Sequence, residues 1–267
     1  MNFLRLAACF VVGLTFATPV LAQEAAPTES ARVEAASPDA TSGAGDQFGS
    51  DVESGAFFKL VASDFKHFFS ADTGRVMGYT SVSAIAAAPW DREGINNGFG
   101  IPTTVFQAGN VMGSFVFQIG LGAAGYGLGA ATGNGKLAMV GRDVVRAQIV
   151  SQVIAQGVKF TVRRERPDGS NRQSFPSGHA ASAFATATVL QRHYGWKAGV
   201  PAYALGSYVA LARMSWNKHH ASDVVMGAGL GIASARTVTM KVGGSKFNMG
   251  VQPQVGGAAI NFTKTYR

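Results

Sequence analysis

Between Lys159 and Asp223 the chain sets three polar blocks into apolar sequence, and that spacing constrains the fold more than any other feature. The blocks are Lys159-x6-Arg166-Pro167, Pro176-Ser177-Gly178-His179 and Arg213-x5-His219-x3-Asp223. The apolar segments that follow them, Ala180–Gln191, Ala198–Ala212 and Val224–Ala235, hold only 12 to 15 residues each. A membrane helix needs roughly 17 to 25, and Ser182, Thr186, Thr188 and Ser207 dilute these segments further. They read as core helices of a globular domain, which brings the polar blocks to the connections between them.

Each block has a chemical reading. Val144–Arg166 is helix-like, with Val145, Ile149, Val153 and Val158 on one side, and Pro167 is expected to end the helix. Lys159 and Arg166, seven residues apart, then project from one face. Two such cations repel each other unless an anion sits between them. Arg163 and Arg164 read as surface charges. In the second block Pro176 fixes a helix entry, Ser177 can cap it and Gly178 permits close backbone approach. A helix N-terminus offers free N–H groups to an oxyanion, so Ser177 and Gly178 are candidate phosphate ligands and His179 projects toward the same point. In the third block His219 and Asp223 share a helix face if the helix runs through both. Asp223 then accepts a hydrogen bond from one ring nitrogen and leaves the other free as a nucleophile. His220, three residues before Asp223, competes for that role.

Together the blocks supply the parts for metal-free phosphoryl transfer. His219 attacks phosphorus, and Lys159, Arg166 and Arg213 neutralise the equatorial oxygens. His179 protonates the leaving group and then activates water. No Asp/Glu-rich divalent site is visible in the sequence, so metal independence is expected, and no cofactor.

The remainder of the chain bounds the setting. Gln23–Thr80 holds nine acids and four bases, whereas Lys136–Arg267 holds 17 bases and four acids. A focused positive field concentrates anionic substrate. Nucleic acid is not expected as a partner, because the bases lack an interleaved aromatic platform. Residues 1–22 read as a secretory signal with cleavage after Ala22, and 23–50 as a disordered linker. Cys9, the one cysteine, falls within the signal, so disulfides play no part. The phenylalanines from Phe57 to Phe69 recur at helical spacing opposite Lys59, Asp64 and Lys66, which predicts an amphipathic helix at the start of a domain spanning 51–243. Gly94–Gly135 carries no charge. Within it, Val111–Thr132 is long enough to span a bilayer, but its glycines suit a tightly packed bundle equally well. Residues 244–267 alternate about Gly256-Gly257 as a small β-hairpin.

These blocks resemble the type 2 phosphatidic acid phosphatase and vanadium haloperoxidase superfamily, whose Lys-x6-Arg-Pro, Pro-Ser-Gly-His and Arg-x5-His-x3-Asp pattern the chain matches from Lys159 to Asp223. The resemblance implies an all-α helical bundle with a phosphate site at helix ends. By position it implies an oxyanion set of Lys159, Arg166, Ser177, Gly178, His179 and Arg213, with nucleophile His219 oriented by Asp223. The serine expected before the third-block arginine is Ala212 here, and only eight residues separate Pro167 from Pro176. The expected function is a phosphatase of the cell envelope, periplasmic or associated with the inner membrane, acting on a phosphorylated lipid. The alternatives are an exported acid phosphatase for small soluble esters, a vanadate-dependent haloperoxidase, and a structural protein with a relict site.

Overall fold

The computed structural model describes residues 54–92 and 103–239, and the backbone of 246–254 and 257–265. The expected signal (1–22) and linker (23–50) lie outside the described residues. Helices α1 (Ser54–Phe68) and α2 (Ala71–Ala87) lead to a 3-10 turn, Ala88–Arg92. A second 3-10 turn, Thr103–Phe106, opens onto α3 (Gln107–Met112) and α4 (Phe115–Ala131). Then come α5 (Gly135–Val162), α6 (Gly178–Tyr194), α7 (Trp196–Ser215) and α8 (Ala221–Val238). The body is an all-helical bundle. At the C-terminal end the backbone of β1 (Lys246–Gln254) runs antiparallel to β2 (Gly257–Thr265). The intervening turn and all side chains of this tail lie outside the described residues.

α8 is the central helix, buried along nearly its whole length between α2, α5 and α6. Small residues allow this. A Cβ on Gly231 would lie 2.2 Å from the Ala181 carbonyl oxygen, and one on Gly227 would lie 2.3 Å from that of Ser177. Val144, Val150, Val189 and Leu230 fill one core cluster, and Phe184, Tyr203, Val224 and Ile232 another. Each large apolar side chain buried in this way contributes about 1.5–3 kcal/mol.

The three short apolar segments fall within α6, α7 and α8, as core helices. Three other expectations need correction. The buried face of α5 is Val144, Ala147, Val150, Ser151 and Ala155, while Val153 is 54% exposed. The apolar residues of that face pack in one cluster with Ala181 and Ala185 of α6 and Leu230 and Ala233 of α8. On α1, Phe65 and Phe68 pack inward while Phe58, and Phe69 just past the helix end, are exposed. Asp64, expected on the outer face, is buried because Arg146 clamps it with Nε and Nη2 at 2.8 and 2.6 Å. Burial raises the Asp64 pKa against the pull of that guanidinium.

The uncharged segment is broken. α3 and α4 meet at 51° across Gly113 and Ser114. Ser114 Oγ caps α4 by accepting the Phe117 N–H at 3.2 Å. Among the described residues no single helix is long and apolar enough to cross a membrane. This bent pair passes by length and composition when its halves are taken together.

Candidate active site

α5 stops earlier than its sequence pattern predicts. Arg163 takes a left-handed conformation, φ 50° and ψ 40°, and its N–H bonds the Lys159 carbonyl at 3.1 Å. Arg166 therefore sits in a loop and not on the Lys159 face of a helix. The loop folds back on itself: Arg166 N–H donates to the Asn171 carbonyl at 3.0 Å, and Ser174 N–H to that of Arg164 at 2.9 Å. Asp168 ties it to the α7–α8 connection through Lys218 Nζ at 2.5 Å.

The fold-back gives Arg166 and Lys159 a common destination. Lys159, Arg166, Gly178, His179, Arg213 and His219 line one cavity of about 220 Å³, completed by Phe115, Gln152, Gln156 and Gln173. The ends of α5 and α7 and the start of α6 converge there. Nε of Arg166 and Nε of Arg213 are buried and make no hydrogen bond within the protein. An oxyanion would satisfy such donors.

The charges are crowded. Burial, then the nearby Arg166, lowers Lys159 to about 8, and its Nζ donates to the Gln173 carbonyl at 2.6 Å. Burial, then Arg166, lowers Arg213 to about 10. Burial, then Arg213 and His219, pushes His179 down to about 3. Burial pushes His219 down to about 4, although Asp223 pulls the other way. Both imidazoles are thus neutral at pH 7, and an entering anion would oppose the depression at His179.

Two residues of the expected set do not line the cavity. Ser177 is fully buried, and its Oγ caps α6 by accepting the Ala180 N–H at 3.4 Å. Asp223 is fully buried behind His219. The helix expected through His219 and Asp223 begins only at Ala221, so the two are not stacked on one turn. His219 Nδ1 instead lies 2.6 Å from the Ser174 carbonyl oxygen and 3.8 Å from Asp223 Oδ2. His220 is the N-cap residue of α8, and its ring nitrogens lie 3.2 and 3.3 Å from the Asp91 and Glu165 carbonyls. It does not line the cavity.

Arg164 is not a free surface charge. It donates to Asp223 Oδ1 at 2.8 Å, Asp91 Oδ2 at 2.9 Å and Ser222 Oγ at 2.6 Å. Asp223 also accepts from Ser174 Oγ at 2.5 Å and from the His220 N–H at 2.9 Å. Burial raises a carboxyl, but the facing His219 imidazole, then the bonds from Ser174 and the His220 N–H and the charge of Arg164, outweigh it and hold Asp223 below its ordinary range. Arg164, Asp91, Ser174 and Asn110, an acceptor for Arg213, were not legible as site residues. Arg164 stands in a run of three arginines about Glu165, and Asn110 in a stretch without charge. Among the described residues no group of three or more His, Cys, Asp or Glu is placed to hold a metal ion.

Residues 143–245 match the family model described as the PAP2 superfamily. Over 97 residues the chain is 37% identical to a lipid A 1-phosphatase of Porphyromonas gingivalis, covering 35% of this chain and 22% of that protein. Over 106 residues it is 35% identical to a decaprenylphosphoryl-5-phosphoribose phosphatase of Mycobacterium tuberculosis, covering 36% of this chain and 58% of that one. The chain thus spans between about a fifth and three-fifths of these relatives' lengths. A transmembrane PAP2-type phosphatidylglycerolphosphate phosphatase from Bacillus subtilis aligns in structure with a TM-score of 0.45 and 18% identity, over 69% of this chain and 93% of that one. Apart from Phe115, every residue that lines the cavity falls within the segment that matches the PAP2 superfamily model.

Proposed function

We propose that this protein is a phosphoric ester hydrolase of the cell envelope that removes phosphate from a lipid phosphate without a metal ion. The observation that carries the reading is the common cavity of Lys159, Arg166, Arg213, His179 and His219. Its two arginine Nε donors are without internal partners. The domain would span 51–243, after an exported signal and an acidic linker and before the C-terminal hairpin.

In the proposed mechanism the Ser174 carbonyl keeps the His219 proton on Nδ1, so Nε2 carries the lone pair. Nε2 attacks phosphorus as the bond to the leaving oxygen breaks. Protonated His179 gives its proton to that oxygen. The resulting neutral His179 takes a proton from water, whose oxygen attacks phosphorus and breaks the P–N bond. Phosphate leaves and His219 is restored. Lys159, Arg166 and Arg213 hold the equatorial oxygens throughout, the dominant contribution in such chemistry.

Lipid is favoured over soluble substrate for two reasons. The two curated relatives are named for lipid phosphates. The neighbourhood of the cavity is also apolar: Phe115 lines it, and Val116 and Phe160, each next in sequence to a lining residue, are strongly exposed. Membrane association follows as part of the proposal.

The test is a substrate panel with chelator present, comparing long-chain lipid phosphates with short-chain and soluble esters, with and without orthovanadate. Hydrolysis favouring long chains and inhibited by vanadate is expected. Preference for soluble esters would point to an acid phosphatase, and vanadate-activated peroxidation to a haloperoxidase. His219→Ala should lose about a thousandfold or more and keep its fold. If His220→Ala is the inactive variant instead, the nucleophile is misassigned by one residue.

A further inference from the structure

α3 comes from the uncharged stretch of the chain, yet it touches two of the titratable groups in the cavity, Arg213 and His179. Gly109 and Gly113, one helical turn apart, make the approach possible. A Cβ on Gly109 would lie 2.7 Å from Ala212 Cβ. One on Gly113 would lie 2.4 Å from Val209 Cγ1 and 3.1 Å from His179 Cβ. The preceding turn is fastened to α7 by the Tyr208 hydroxyl, which donates to the Val105 carbonyl at 2.6 Å, and by the Phe106–Tyr208 ring contact at 5.8 Å. Between the two glycines stands Asn110. Its side-chain Oδ1 accepts from Arg213 Nη1. Its backbone is hydrogen-bonded to His179.

We propose that Asn110 is a positioning residue that holds Arg213 and His179 in register for phosphate binding and proton transfer, through its side-chain and backbone oxygens respectively. An amide suits the place because of its charge. A carboxylate there would pair with Arg213 and cancel the positive field that the anion needs. An apolar side chain would leave a buried guanidinium held by one bond fewer. The backbone contact engages one ring nitrogen of His179. In the neutral imidazole the other nitrogen then bears the lone pair, the form needed to accept a proton from water. Because α3 carries both contacts, its docking against α7 ties the proton donor to the cationic wall.

The inference rests on the phosphatase reading for its chemistry, but its first measurement does not need turnover. Inorganic phosphate binding to the full chain is measured by calorimetry for the wild type, Asn110→Asp and Asn110→Ala, alongside kcat and KM on a lipid phosphate. Loss of one charge-assisted hydrogen bond corresponds to about tenfold or more in affinity. Asn110→Asp is expected to weaken phosphate binding by at least that factor and to raise KM. It should move the His179-dependent part of the pH profile upward, because a carboxylate favours the imidazolium. Asn110→Ala is expected to lower kcat as well as affinity, with unfolding midpoints close to wild type in both variants. Wild-type phosphate affinity and pH profile in both variants overturn the proposal, as does a fall in stability with unchanged phosphate affinity in the folded fraction. Wild-type protein that binds phosphate but hydrolyses no ester defeats the phosphatase reading alone, because the affinity comparison still decides the role of Asn110. Wild-type protein that binds no phosphate defeats both.

Discussion

His219 Nδ1 donates to the carbonyl of Ser174 at 2.6 Å, while Asp223 Oδ2 stands 3.8 Å away. The carboxylate instead meets the other end of the same serine, accepting from the Ser174 hydroxyl and from Arg164. A backbone carbonyl cannot ionise or rotate out of place, so the tautomer of His219 is set by the course of the loop itself.

Asp223→Asn tests that arrangement. Where a carboxylate holds a catalytic imidazole directly, its amide variant costs about 10⁴ in kcat. Here the acceptor survives the substitution, so a loss of about ten- to a hundredfold is expected. The larger cost should fall on stability. Stranding one partner of a wholly buried pair costs about 3–5 kcal/mol. Arg164 is 30% exposed and keeps Asp91, so about 2 kcal/mol is expected by urea denaturation. A ten-thousandfold loss of kcat would mean that Asp223 becomes the direct acceptor during turnover.

The pH profile of kcat/KM should have an acid and an alkaline limb, with a decline between them as His179, pushed down to about 3 by burial in the free protein, loses the proton that the leaving group needs. Below about 4 His219 becomes protonated and loses its lone pair, and above about 8 Lys159 loses its charge. Lys159→Arg should remove the alkaline limb while keeping the acid one. Unchanged limbs in that variant would assign the alkaline limb to another group.

Stability should fall on acidification before activity does. His179 and His219 fold with values near 3 and 4 against an ordinary 6.5, so the unfolded chain takes up protons first. Their contribution is fully present above pH 6.5 and declines as pH drops toward 4, because the unfolded state binds more protons in that window. The unfolding midpoint should decrease from pH 7 to pH 5. His179→Asn should flatten this slope, and a slope identical to wild type would remove His179 from its cause.

Gly227→Ala should be costly although it adds one methyl group. Its Cβ would meet the backbone oxygen of Ser177 at 2.3 Å, and no side-chain rotation can relieve a backbone contact. Moving α8 away would shift the start of α6, where Gly178 and His179 face the cavity. A loss of about 1–3 kcal/mol is expected from overpacking, with kcat/KM reduced in the fraction that remains folded. Thermal unfolding and steady-state kinetics on the same sample separate the two effects.

The difference between what was legible and what was not has a local cause. The 12- to 15-residue apolar segments declared α6, α7 and α8 because helical periodicity and small-residue packing are properties of a short stretch of chain. Lys159, Gly178, His179, Arg213 and His219 were likewise recognisable from charge, glycine and spacing. The extension of α5 through Arg166 failed because the left-handed turn at Arg163 has no glycine to announce it. Arg164 looked like its neighbour Arg163, and only the approach of Asp91 and Asp223 from distant parts of the chain sets it apart. Asn110 carries no charge, so its importance depends wholly on what α7 and α6 bring against it.

By itself, the sequence determined that the short apolar segments of α6, α7 and α8 are helical, where α6 is capped, and which residues can bear the charges of an anion site. Those properties arise from hydrogen bonds and side-chain chemistry within a few residues. Only the tertiary structure decided which charges share the cavity, which carbonyl accepts the hydrogen bond from His219 Nδ1, and which arginine braces Asp223. Those outcomes depend on the fold-back of the 163–177 loop and on glycine-limited contacts between helices far apart in the chain, and no local pattern encodes such meetings.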